Sequence, residues 1–196
     1  TKIYSLVPEA DRSSIHLRIA SLLEKEAYKR KPETLESLAL HYHSGGDLRN
    51  ASRSYTRSAE IELERLNEDK SLNMVDQSLT CLSEMEESKE NDQLKIRCLQ
   101  MKGDIMESQG DTRGALMNFK ESATLAEKRG ILHEQSSSFR RIGDIMLKLF
   151  EWDQTVDYYL RSLHLSKKEN DQDEVARAFR GLGTIYYLKG DYTRSM

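Results

Sequence analysis

Along most of this chain apolar side chains recur three and four positions apart, the spacing that lays them in one stripe along an α-helix. Ile15, Ile19, Leu22 and Leu23 carry the stripe from Pro8, a residue suited to a first helical turn, to about Ala27. Lys29-Arg30-Lys31 and Pro32 end that helix, and residues 1–7 before it read as an extended lead-in, apolar at Ile3, Tyr4, Leu6 and Val7. Leu35, Leu38, Ala39 and Tyr42 form one face of a short helix broken at Gly45-Gly46. Asp47 is placed to cap a long helix over 47–67, with small residues at Ala51, Ser58 and Ala59 where helices must approach closely. Asn67-Glu68-Asp69 reads as a turn, Leu72 to Met85 as the next helix, and Glu86 to Asn91 as a charged connector.

Beyond residue 92 the pattern becomes periodic. Gly103, Gly143 and Gly183 lie 40 residues apart in the phrases Gly103-Asp104-Ile105-Met106, Gly143-Asp144-Ile145-Met146 and Gly183-Thr184-Ile185-Tyr186. Turns follow at Gly110-Asp111, Phe150-Glu151 and Gly190-Asp191, then small residues at Ala115, Thr155 and Ser195, with aromatics at Phe119 and Tyr159. The expected helices are about 92–109, 112–129, 132–149, 152–169 and 172–189, with Arg129-Gly130 as a typical stop. A fixed period of this length is the mark of stacked helical hairpins, and it directs attention to an elongated binding surface instead of a catalytic pocket. The expected organisation is an N-terminal lead-in and helix over 1–33, irregular hairpins over 34–91, and a 40-residue array over 92–196 that stops within its last hairpin.

Composition narrows the function classes. Apolar residues make up 37% and charged ones 32%, a balance that suits amphipathic helices with solvated outer faces. The formal net charge of −3 leaves no basic footprint for nucleic acid or for an anionic membrane. No apolar run approaches the roughly 20 residues that cross a bilayer, and Thr1-Lys2-Ile3-Tyr4 opens neither with methionine nor with a signal-peptide pattern. Cys81 and Cys98 fall within helical stripes and read as free core thiols, so the expectation is an excised piece of a longer cytoplasmic protein.

The phrases Leu182-Gly183 with Tyr186, Gly190-Asp191-Tyr192, and Ala115 with Phe119 resemble the tetratricopeptide repeat. The period departs from its usual length of about 34 and is similar to the longer variety found in signalling adaptors and regulatory ATPases; the customary terminal proline is absent. The resemblance implies an all-α, right-handed superhelical solenoid of antiparallel helix hairpins. A second resemblance rests on Tyr4 to Pro8, Arg12, Ile15-His16, Ile19-Ala20, Leu22-Leu23-Glu24, Leu38-Ala39, His41-Tyr42, Gly46-Asp47, Ala51, Tyr55 and Ala59. It is to the segment following the ATPase module of large signal-transducing ATPases linked to cyclase or kinase domains. No phosphate-binding loop occurs here, so an ATPase would lie upstream.

In that repeat geometry the first helices line a concave groove, which brings Arg97, Gln100, Asp104 and Glu107 into one row. Ser137, Arg140, Asp144 and Leu147 form the next, and Arg177, Arg180, Thr184 and Tyr187 the last. The partner-binding residues expected from this are Arg97, Gln100, Asp104, Arg140, Asp144, Arg177, Arg180 and Tyr187, the arginines offering forked donors to a carboxylate or phosphate. The other reading is a solvated face with local pairs such as Arg140 with Asp144. Asp104, Asp144 and Thr184 stand where chaperone-binding repeats of this family use asparagine, which argues against that ligand. His41 and His43 point to different sides of their helix, and His16, His133 and His164 have no sequence neighbour with which to hold a metal. Trp152 and the methionines Met101, Met106, Met117 and Met146 read as packing residues.

No nucleophile or acid–base constellation is present, so no enzymatic activity, cofactor or metal is expected. The partner is a protein or peptide in the groove, not nucleic acid or membrane. The alternatives are a peptide-signal sensor of the quorum type and an oligomerisation module that self-associates through the last helix, with Leu182, Ile185 and Tyr186 partly uncovered.

Overall fold

The structure, a computed structural model, describes residues 8–27 and 31–190. Among these the chain is all-α, with no strand. Its helices are α1 (Glu9–Ala27), α2 (Pro32–Ser44), α3 (Leu48–Glu64), α4 (Glu68–Ser83), α5 (Lys89–Ser108), α6 (Thr112–Arg129), α7 (Leu132–Lys148), α8 (Trp152–Glu169) and α9 (Gln172–Leu188). They divide into two compact units, Thr1–Cys98 and Leu99–Met196, with the boundary inside α5. The expected lead-in, Lys29-Arg30, Asp191-Tyr192 and Ser195 lie outside the described residues.

Several helices begin or end for a local reason. Asp47, Asp111 and Asp171 accept hydrogen bonds from the backbone N–H groups of Asn50, Gly114 and Glu174 at 2.9–3.0 Å, which satisfies an orphan donor of α3, α6 and α9. At the far ends the chain turns through a left-handed residue, and the next N–H reaches back five positions to a carbonyl: Asp47 to Tyr42, Asn67 to Glu62, Asp111 to Met106, Ile131 to Ala126, Glu151 to Met146 and Asp171 to Ser166, all 2.8–2.9 Å. Glycine supplies the left-handed residue at Gly46, Gly110, Gly130 and Gly190, whereas Leu66, Phe150 and Asn170 adopt the same conformation with a side chain.

Two helices begin earlier than the apolar stripe predicts. Helix α4 starts at Glu68 because Glu68 and Asp69 favour the positive end of a helix dipole, so the expected turn is already helical. Helix α5 starts at Lys89 because the Ser88 hydroxyl accepts from Asn91 N–H at 3.1 Å, so the charged connector supplies the cap.

In the first unit α1 packs on α2, α2 on α3 and α3 on α4; in the second α6 packs on α7, α7 on α8, and α9 on both α8 and α7. The second unit's core has two clusters, one centred on Phe119 with Ile142, Ile145 and Met146, the other on Tyr159 with Leu163, Ala178 and Leu182. The register glycines now have a physical meaning. A methyl group on Gly103 would stand 2.5 Å from Phe119, and one on Gly143 would stand 2.9 Å from Tyr159. The hydroxyl end of the Tyr159 ring meets Gly181, where an added methyl would stand 2.4 Å away, so Gly181 and not the register residue Gly183 makes the close approach in α9.

Hydroxyls supplement a modest apolar content. Ser71 Oγ donates to Ala59 O at 2.8 Å, Ser136 Oγ to Ser162 O at 2.8 Å, and Ser122 shares a hydrogen bond with Ser138 at 2.8 Å. These buried hydroxyls sit where helices are too close for larger side chains, and each finds a partner on the neighbouring helix.

Two packing expectations change. Met117 is 66% exposed because it falls on the solvent side of α6. Leu182 and Ile185 are buried, not uncovered, since α9 lies against both α7 and α8; Tyr186 packs partly on the same cluster. Trp152 meets Phe150 edge-to-face at 5.5 Å within its own turn.

Candidate partner-binding site

In the first unit, helix α3 and the N-terminal half of α5 enclose an open cleft of about 550 Å³. Its floor is Thr56, Ile61 and Leu94, and its walls carry Arg53, Arg57 and Glu64. Glu60 and Arg97 close it. Arg53 and Arg57 stand one turn apart on α3, where like charges repel by a few tenths of a kcal/mol. The fold offsets this from α5: Glu90 engages Arg53 and also lies 3.6 Å from Arg49. Arg97 Nε lies 2.7 Å from Glu60 Oε1, yet out of line for a hydrogen bond, so this buried oxygen carries none. Burial accordingly raises the Glu60 pKa, against the pull of Arg97 and Arg57. Both arginine side chains that make ion pairs here stay about half exposed (Arg53 49%, Arg97 60%), so their remaining donors face the cleft and solvent.

The other expected site residues sit in the second unit, where most of their polar groups are occupied. Gln100 is buried and its amide donates to Glu134 O and Ser138 Oγ. Asp104 receives both arms of Arg141, at 2.8 and 3.1 Å, linking α5 to α7. Arg140, 13% exposed, donates to Glu174 at 2.6 Å and to Asp144 at 2.7 Å, which links α7 to α9 and realises the local pair as well. Asp144 also accepts from the Tyr159 hydroxyl at 2.7 Å. Burial raises the Asp144 pKa while Tyr159 and Arg140 hold it down; burial and the Asp144 charge drive the Tyr159 pKa far up. For Arg140, burial opposes the charge and Glu174 and Asp144 more than offset it. Arg177, which approaches Glu174 at 3.5 Å, remains exposed with Arg180 and Tyr187 on α9.

The sequence reading missed several partners. Arg53 and Arg57 escaped it because the groove rows were counted from the glycine register, which begins after α3; their signal was the like-charged i,i+4 spacing. Arg141 escaped because its carboxylate lies 37 residues away. His16 and His41 approach at 2.8 Å between α1 and α2, and His133 reaches Asp171 at 2.7 Å, so two of the histidines read as lone have partners in space. Burial, then the His16 charge, lowers the His41 pKa. Cys81 and Cys98 are free and buried.

No protein-family model matches the chain. Over 99 residues, half of this chain, it is 27% identical to a Tonsoku-like protein of Drosophila melanogaster, of which the match spans only 7%. Among solved structures, RapI in its apo form aligns with 99% of this chain at a TM-score of 0.70 and 14% identity, over 54% of its own length. BtubC (BKLC) from P. vanneervenii aligns with 96% at 0.66 and 15% identity, over 87% of its length. The MamA protein aligns with 94% at 0.58 and 9% identity, over 86% of its length. At such identities the likeness speaks for the fold. The chain folds as a tetratricopeptide-like helical repeat.

Proposed function

We propose that this chain is a non-catalytic protein-interaction segment of a larger signalling protein, and that the α3–α5 cleft holds a peptide or helix of its partner. The observation that carries the reading is the arginine set Arg53, Arg57 and Arg97 around an open cleft with apolar floor positions at Ile61 and Leu94. Guanidinium groups give forked donors to a carboxylate, and an apolar floor adds desolvation around the pair. The exposed residues Arg177, Arg180 and Tyr187 of α9 extend the expected interaction surface in the second unit, while Gln100, Asp104, Arg140 and Asp144 hold helices together. The resemblance of the first 60 residues suggests a signalling ATPase as the parent.

The test is the triple substitution Arg53→Ala/Arg57→Ala/Arg97→Ala in the full-length protein. Capture of the partner that cross-links to the wild type should weaken at least tenfold, with helical content by circular dichroism unchanged. Undiminished capture overturns the cleft assignment.

Self-association is a second reading, favoured by the apolar surface left on α9 at Phe179, Tyr187 and Leu188, each at least half exposed. Sedimentation at several concentrations decides it.

A further inference from the structure

The cleft is not uniformly basic. Arg53, Arg57, Glu60, Ile61 and Glu64 fall on one face of α3, so its charge changes sign along the helix. Two of these four charges are neutralised within the fold, Arg53 by Glu90 and Glu60 by Arg97. Arg57 and Glu64 are exposed and enter no ion pair among the described residues. Near the acidic end lies the buried Glu60 Oε1, an acceptor without a hydrogen bond. The cleft therefore offers donors at one end, acceptors at the other, and Ile61 and Leu94 between them.

We propose that the cleft binds an amphipathic helix of the partner that presents a carboxylate to Arg57 and an ammonium or guanidinium group to Glu64, with an apolar side chain between them. This rests on the reading of the cleft as a partner site and goes further by giving the partner's charge pattern.

The spacing selects a helix. Arg57 and Glu64 are seven residues apart, about 10.5 Å along α3 at 1.5 Å per residue. A partner helix lying along α3 meets both with residues i and i+7 on one face, and places i+3 or i+4 over Ile61 and Leu94. An extended strand does not. Residues i and i+3 span about 10 Å but point to opposite sides, while i+2 and i+4 fall about 4 Å short and 3 Å beyond. A cleft of about 550 Å³ takes such a ridge of side chains while the helix backbone stays outside.

The experiment uses three fluorescent, alanine-rich helical peptides of about 20 residues, long enough to be helical alone. Each carries leucine between two charged positions seven residues apart: glutamate with lysine, two glutamates, or two lysines. This design is indifferent to the direction in which a peptide docks. Anisotropy should show the mixed peptide binding the wild-type chain at least fivefold more tightly than either like-charged one. Arg57→Glu should shift the preference to the two-lysine peptide, and Glu64→Lys to the two-glutamate peptide; both positions are exposed, and circular dichroism confirms folding. A wild type that prefers the two-glutamate peptide, with that binding abolished by the arginine triple, overturns the charge pattern and leaves the cleft as a carboxylate site. Equal binding of all three, or preferences that ignore both substitutions, overturns the pattern as well. No binding of any peptide overturns the helical occupant.

Discussion

Tyr159 is held from two sides by backbone. Gly143 lies against the Cδ1–Cε1 edge of its ring and Gly181 against the end that carries the hydroxyl, while that hydroxyl donates to the half-buried carboxylate of Asp144. Phe119 stands in the same relation to Gly103, and neither ring has room to retreat, since both are buried to within 1%. Alanine normally favours a helix over glycine by about 1 kcal/mol. At position 103 that gain is outweighed, because the added methyl would meet Phe119 at 2.5 Å. Gly103→Ala should therefore lose about 1–3 kcal/mol in urea unfolding, the cost typical of overpacking. Phe150 is the converse case. It takes a left-handed conformation (φ 61) at the turn position filled by Gly110 and Gly190, and is 71% exposed. Phe150→Gly in the same assay should not destabilise, because relief of the backbone strain is comparable in size to the edge-to-face packing of this ring on Trp152.

At the scale of helices, packing of apolar faces is supplemented in the second unit by ion pairs that tie first helices together. Arg140 on α7 meets Glu174 on α9, and Glu174 is 2% exposed. Arg177 reaches the same carboxylate only at 3.5 Å from an exposed side chain, so its desolvation, worth several kcal/mol for an unpaired charge, is offset chiefly by Arg140. Arg140→Met should lose about 3–5 kcal/mol. The double variant Arg140→Met/Glu174→Leu should recover most of that loss, since an apolar pair of similar volume avoids both desolvation costs. A double-mutant cycle in urea measures the coupling, and independent losses from the two sites would contradict the role given to the pair. The helices themselves were legible in sequence almost to the residue from α6 onward, where a left-handed residue and the apolar stripe agree, joined at α6 and α9 by a capping aspartate. They were less so at α4 and α5, where acidic first turns and the Ser88 cap extend each helix beyond its apolar stripe. Of the expected site residues, Arg97 stands in a cleft, Arg177, Arg180 and Tyr187 stand exposed, and four are engaged between or along helices.

For the molecule as a whole, Cys81 and Cys98 report on the opening of the first unit. Burial pushes the Cys81 thiol up to about 11 from 9.0, so at a given mildly alkaline pH about a hundredfold less of it is thiolate than in the unfolded chain. Burial raises Cys98 too, against hydrogen bonds with Ser78 and Thr56. Both thiols should resist a water-soluble disulfide reagent at pH 8 and react at once in denaturant, and the slow native rate should rise with urea as the unit opens. Fast native labelling of either thiol would contradict this burial. The sequence alone determined most of the helices, their turns and the 40-residue register of glycines and aromatics, because capping bonds and apolar stripes are set by residues within about five positions of one another, and a repeat copies its spacing at a fixed period. Which charges are spent and which stay open was decided by the tertiary structure. Arg140 meets Glu174 across 34 residues and Arg97 meets Glu60 across α3 and α5 because of how each helix is rotated about its axis. That rotation is fixed by the packing of every neighbour at once, and no single stretch of sequence contains it.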